Sequence, residues 1–136
     1  MPLMTWTEKM SVGVEVLDND HKKLVSMVNT LFDGIQSGQG KEALGKILDG
    51  LVAYTVEHFK REEDLFAQTG YPDGASHKAL HEDLCKQVVD IQTKFKSGAT
   101  ATLSLEVMNF LKNWLINHIQ GTDKKYGPFL NGKGIK

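Results

Sequence analysis

Every histidine in this chain falls on the apolar stripe of a helical repeat, and that pattern limits the fold more than any other feature. There are five, His21, His58, His77, His81 and His118, spread along 136 residues. Around them apolar residues recur at three- and four-residue steps, the period of an amphipathic helix. The first such segment spans about 18–37, with Leu24, Val25, Val28, Leu31, Phe32 and Ile35 on one stripe, and Gly38-Gln39-Gly40 ends it. The second spans about 41–69, with Leu44, Leu48, Leu51, Thr55, His58, Glu62 and Leu65 facing one way. Gly70-Tyr71-Pro72 breaks it, because proline disfavours helix in the residue before it. Asp73 suits the N-cap of a third helix carrying His77, Leu80, His81, Leu84, Val88, Ile91 and Phe95. After Ser97-Gly98-Ala99-Thr100, a fourth starts near Thr102 and carries Val107, Phe110, Leu111, Trp114, Leu115 and His118.

Short connections imply antiparallel neighbours. The expectation is an all-α fold, an antiparallel up-down-up-down four-helix bundle over residues 18–126. Residues 1–17, with Trp6, Val12, Val14 and Val16 but no helical stripe, read as an extended N-terminal arm packed on the bundle. Three glycines near the C-terminus suggest a frayed tail over residues 127–136. A chain of this length fits one domain and is long enough to bury a core without disulfides.

Composition closes off several classes of function. Sixteen basic and seventeen acidic residues leave a net charge of −1, which gives no electrostatic reason for a nucleic-acid partner. Cys85 is the single cysteine, so no intramolecular disulfide forms and a thiolate-rich metal site is excluded. The first nine residues lack the basic-then-apolar pattern of a signal peptide. No stretch approaches the roughly 20 apolar residues needed to span a bilayer. The expected location is the cytoplasm.

The histidines define the chemistry. One inward histidine is ordinarily a hydrogen-bonded core residue. Five bring ten ring nitrogens into an apolar core with too few partners, and unpartnered buried polar groups are costly. A shared metal centre removes that cost. His58 and Glu62 lie four residues apart on one helix face, and His77 and His81 repeat the spacing. Asp123 follows His118 by five residues, which turns an ideal helix by about 500° and leaves the pair misaligned by about 140°. A local widening near Gly121 is therefore expected, to let both side chains reach one site. Five imidazoles and two carboxylates are too many donors for one ion and suit two ions bridged by the carboxylates. Imidazole donors fit iron, copper, nickel or zinc, and the spacing does not choose among them.

Three neighbours read more plainly. Glu63 is either solvated or a partner of a ligand. Asp20 suits the first turn of its helix, where the dipole favours a carboxylate. Cys85, four residues after His81, reads as a buried structural thiol.

The motifs Leu17-Asp18-Asn19-Asp20-His21, His58-Phe59-x-x-Glu62-Glu63 with Tyr71-Pro72, His77-x-x-x-His81 and Trp114-Leu115-x-x-His118-Ile119-x-x-x-Asp123, with the Trp6 arm, resemble the hemerythrin family. The likeness is to its single-domain bacterial members and covers nearly the whole chain. One departure is Asp20, where glutamine is the more usual residue before the first ligand. The resemblance implies two iron ions with an oxo or hydroxo bridge. One would take His77, His81 and His118, the other His21 and His58, with Glu62 and Asp123 bridging them. The second iron then has one open position, which implies reversible O2 binding for oxygen storage, transport or delivery, and no enzymatic role. Leu24, Phe59, Trp114, Leu115 and Ile119 each suit plain core, and as a group they would form a dry O2 pocket. The alternatives are a di-iron oxidase or a peroxide- or NO-reducing enzyme, and an O2 or redox sensor acting through a separate partner. An oxygen-using enzyme is a conceivable recipient, and a monomer is the expected state.

Overall fold

The computed structural model describes residues 4–38, 41–97 and 105–136. Four long helices carry the fold: α1 (Glu15–Gln36), α2 (Lys41–Thr69), α3 (Gly74–Lys96) and α4 (Leu105–Asn117). A π-helical turn (His118–Thr122), a 3-10 turn (Asp123–Lys125) and a short α5 (Gly127–Gly132) complete the chain. Helix α2 packs against both α1 and α3, and α4 packs against α1, which gives the expected antiparallel bundle. Among the described residues no helix is long and apolar enough to cross a membrane.

The periodic stripes become the core. Leu24, Val25, Val28 and Leu31 of α1 are buried against Leu44, Leu48 and Leu51 of α2, Val88 and Phe95 of α3, and Met108 and Leu111 of α4. Leu80 breaks the expectation, since it is 46% exposed. The buried line of α3 runs His77, His81, Val88, Phe95, and Leu80 lies off that line. The expected start near Thr102 and the glycines at 39–40 and 98 lie outside the described residues, as do the side chains of Val107 and Phe110.

Helix ends follow local chemistry. Gly70 takes φ +70°, a left-handed conformation that suits glycine, and its N–H donates to Phe66 O at 2.8 Å. Asp73 occupies the N-cap of α3, but its carboxylate makes no capping hydrogen bond. Helix α1 begins at Glu15, three residues before the expected start. The reason is Asp18, whose carboxylate accepts from Ser11 Oγ at 2.6 Å and Val12 N at 2.8 Å and so fastens the arm to the first turns.

Both chain ends are tied to the bundle. In the arm, a 3-10 turn spans Glu8–Met10, and Met4, Met10, Val12 and Val14 are buried. The Asn29 side chain exchanges hydrogen bonds with the Met4 backbone at 2.9 and 2.8 Å. The tail is not frayed. Leu130 is fully buried in α5, and Asn131 Nδ2 donates to Gly13 O at 2.9 Å. Gly127 permits this docking, because a Cβ there would sit 2.2 Å from the Val12 carbonyl oxygen.

Candidate metal centre

The antiparallel order brings the start of α1, the C-terminal half of α2, the start of α3 and the end of α4 to one end of the bundle. Each helix delivers histidine there. His21, His58, His77 and His81 are at most 3% exposed and His118 is 7% exposed, while Glu62 and Asp123 are wholly buried. Asp123 arrives because the helix widens. Over His118–Thr122 the hydrogen bonds shift to the π pattern, and the Asp123 N–H donates to His118 O, five residues back. The longer turn compensates for the offset of five residues, so His118 and Asp123 face the same interior point, with Nε2 3.0 Å from Oδ1.

Around Asp123, Oδ1 lies 2.9 Å from His77 Nε2 and Oδ2 lies 3.0 Å from His21 Nε2, so one carboxylate spans two groups of donors. Glu62 does likewise: Oε1 is 3.0 Å from His81 Nε2, 3.5 Å from His58 Nε2 and 3.7 Å from His77 Nε2, and Oε2 is 3.9 Å from His21 Nε2. Two overlapping sets result, His77, His81 and His118 with both carboxylates, and His21 and His58 with both carboxylates.

These separations test whether a cation fits. Two ligand atoms at right angles and about 2.1 Å from one ion lie about 3.0 Å apart. Yet Nε2 of all five histidines, Glu62 Oε1 and both Asp123 oxygens are buried without a well-directed hydrogen-bond partner. So many orphaned acceptors facing one another are what a bundle core avoids unless a cation satisfies them. The residues fit metal ions.

Without metal, protons take that place. Burial opposes charging His77, but the facing Asp123 and Glu62 carboxylates, which favour the charged ring, outweigh it and raise its pKa to about 9. Burial opposes ionising Asp123 too, yet His118 with His21 and His77 holds it well below the usual carboxylate range. The pKa of His21 is likewise raised, despite burial, by Asp123 and Glu62, so the carboxylates hold protons on these two rings that a metal would displace.

The surroundings divide into apolar walls and polar supports. Leu24, Phe59, Trp114, Leu115 and Ile119 are all buried. Phe59 stacks on His81 with ring centres 3.8 Å apart, and Trp114 lies near-parallel to His118 at 6.4 Å. Those two rings therefore press on the three-histidine group. Of the two readings of Glu63, contact with a histidine holds, its Oε2 lying 3.1 Å from His81 Nδ1. Asp20 is not a first-turn dipole residue: it is the sixth residue of α1, is buried, and accepts from His58 Nδ1 at 2.9 Å. Burial would raise its pKa, but His58, Tyr54 and Arg61 hold it far below the usual range. Cys85 is only half-buried, belongs to neither donor set and lines a cleft of about 410 Å³ between α2 and α3.

Tyr126, Tyr54 and Arg61 escape the sequence reading. The fully buried Tyr126 hydroxyl donates to Glu62 Oε2. An aromatic residue three positions after Asp123, inside a polar glycine-containing stretch, was the available signal.

Fold and donor set together define a cation-binding four-helix bundle. Residues 12–130 match the family described as the hemerythrin HHE cation binding domain. The bacteriohemerythrin of Methylococcus capsulatus is 42% identical over 132 residues, 96% of this chain and 99% of that protein. That of Stenotrophomonas maltophilia is 36% identical over 126 residues, 93% of this chain and 80% of that protein. A crystal structure of wild-type hemerythrin superposes with a TM-score of 0.88 at 42% identity, covering 94% of this chain and 98% of that one. The chain belongs to the hemerythrin family.

Proposed function

We propose that this protein binds O2 reversibly at a di-iron centre held by His21, His58, Glu62, His77, His81, His118 and Asp123, in a storage, transport or delivery role and without catalytic turnover. The observation that carries the reading is the unequal division of the donors. One set has three imidazoles and the other two, and both share the same pair of carboxylates. Among the described residues no further histidine, cysteine or carboxylate joins the two-histidine set, which leaves that side short of one protein donor and open to a small ligand. Imidazole-rich donors suit iron, and two ferrous ions supply the two-electron reducing capacity on which reversible O2 binding draws.

The chain's own residues supply the rest. Asp123 and Glu62 reach both sets, so each carboxylate is common to the two donor groups. Tyr126 fixes the Glu62 carboxylate from outside by donating to Oε2. The buried Leu24, Phe59, Trp114, Leu115 and Ile119 surround the donors with apolar side chains, which would keep the site dry and disfavour charge separation there. Delivery to an oxygen-using enzyme fits a carrier whose site is wholly interior.

Metal analysis and optical spectra of the reduced protein through cycles of air and vacuum test the proposal. Two iron ions per chain and a visible band that appears in air and vanishes under vacuum are expected. Consumption of O2 on every reduction, with irreversible oxidation, would replace the carrier by an oxidase.

A further inference from the structure

Each half of the centre contains one imidazole whose outer nitrogen meets a carboxylate, and the two carboxylates are held very differently. His81 Nδ1 faces Glu63 Oε2, whose side chain is 26% exposed at the edge of the α2–α3 cleft. His58 Nδ1 faces Asp20 Oδ2, and Asp20 is 5% exposed. The Tyr54 hydroxyl donates to Asp20 Oδ1 at 2.5 Å, and Arg61 Nη1 donates to the same Oδ2 that His58 uses. Arg61 is in turn shared with Glu57 at 3.2 Å, and Lys23 Nζ lies 4.5 Å over the Tyr54 ring. Three donors from α2 thus converge on one buried carboxylate of α1. Its neighbour His21 is the other imidazole of the same two-histidine set, so α1 supplies one ring of that side and holds the second through Asp20.

A neutral imidazole that offers Nε2 to a cation keeps its proton on Nδ1 and donates it outward. A carboxylate accepting that proton makes the ring a stronger electron donor and steadies the more oxidised ion. A guanidinium fixed on the same oxygen acts in the opposite sense, because its permanent charge offsets the carboxylate's field. We infer that Asp20 is a positioning residue that sets the donor strength of His58, and that Arg61 is the counter-charge limiting it. The pair fixes the redox balance of the two-histidine side, the side open to O2 in the reading above, on which this inference rests. Glu63, a quarter exposed and without an Arg or Lys ion pair among the described residues, gives His81 a weaker and more screened version of the same bond.

Spectroelectrochemistry of the iron-loaded full chain, O2 titration, and cobalt(II) titration of the metal-free chain test this. Asp20→Asn should raise the reduction potential, weaken O2 binding about tenfold and weaken cobalt affinity at one of two sites by a similar factor. Arg61→Gln should lower the potential and tighten O2 binding, and Arg61→Lys, which keeps the charge, should move both less. Glu63→Gln should have a smaller effect than Asp20→Asn. Asp20→Asn and Arg61→Gln moving the potential in the same direction, as general loosening of the site does, overturns the inference. So does an unchanged potential in both. Should Asp20→Asn not fold, Arg61→Gln against Arg61→Lys decides alone, with equal shifts counting against the inference. If the wild-type chain fails to bind O2 reversibly, the function reading falls, while potentials and cobalt affinities still decide the role of Asp20.

Discussion

The two ends of this bundle are held together by different forces. At the end formed by the C-terminal parts of α1 and α3 and the N-terminal part of α2, the interior is Leu31, Leu44, Leu48 and Phe95. At the other end, eight of the nine buried polar or charged residues among those described gather: Asp20, His21, His58, Glu62, His77, His81, His118 and Asp123. The ninth, Thr55, bonds its own helix at Leu51 O, 2.7 Å away. One end is stable by excluding water, and the other gathers inward polar atoms that a cation would satisfy. The same four helices thus combine an apolar half with a half whose donors suit a cation.

The sharpest way to break this contrast is to remove the metal. Binding to the folded state alone stabilises by about 4 kcal/mol per ion at a thousandfold excess over the dissociation constant. Chelation should therefore lower the thermal midpoint strongly and expose amides of the metal-end helix turns to hydrogen exchange first. Equal loss of protection at the two ends would show that the halves are one unit. Leu48→Ala, at the apolar end, should cost about 3 kcal/mol in both loaded and metal-free protein, as denaturant melts will show. Tyr126→Phe strips Glu62 Oε2 of its donor and should cost about 2 kcal/mol, most of it in the metal-free form, where no cation offsets the carboxylate.

Gly127→Ala should cost about 2 kcal/mol by pushing α5 off the Val12 carbonyl, read as faster proteolysis of both chain ends. The remaining effect is that of pH on the metal-free protein. His77 has its pKa raised from 6.5 to about 9, so its contribution is complete below 6.5 and is lost as pH rises through 9. Metal-free stability should therefore fall across that window in melts taken at increasing pH. The loaded protein, whose imidazoles are already neutral, should not follow it.

What the sequence revealed divides along similar lines. Helix existence and the histidine stripe were legible because they depend on three- and four-residue spacing within one segment. The widening at His118–Thr122 was legible for the same reason, since the five-residue interval to Asp123 conflicts with a regular helix. The contacts of Asp20 with Tyr54, His58 and Arg61 span 34 to 41 residues, and the Tyr126 bond to Glu62 spans 64. Such pairings are set by the angle and height at which helices cross, which single-helix periodicity does not encode. Leu80 was misplaced because an apolar residue beside His81 satisfies a pattern whether or not a neighbouring helix covers it. The tail was misread because glycine at 127 signals a close approach to Val12 rather than freedom.

The tie between Gly13 and Asn131 also fixes an order of events during synthesis. Residues 13 and 131 stand 118 positions apart, and Asp123 reaches both donor sets from late in the sequence. A ribosome releases His21, His58, Glu62, His77 and His81 well before the donors that complete them. The apolar end, by contrast, can collapse around α1, α2 and α3 while translation continues. A growing chain is therefore an incomplete chelator until Asp123 has been made, and loading with metal belongs after the last helix has closed over the first.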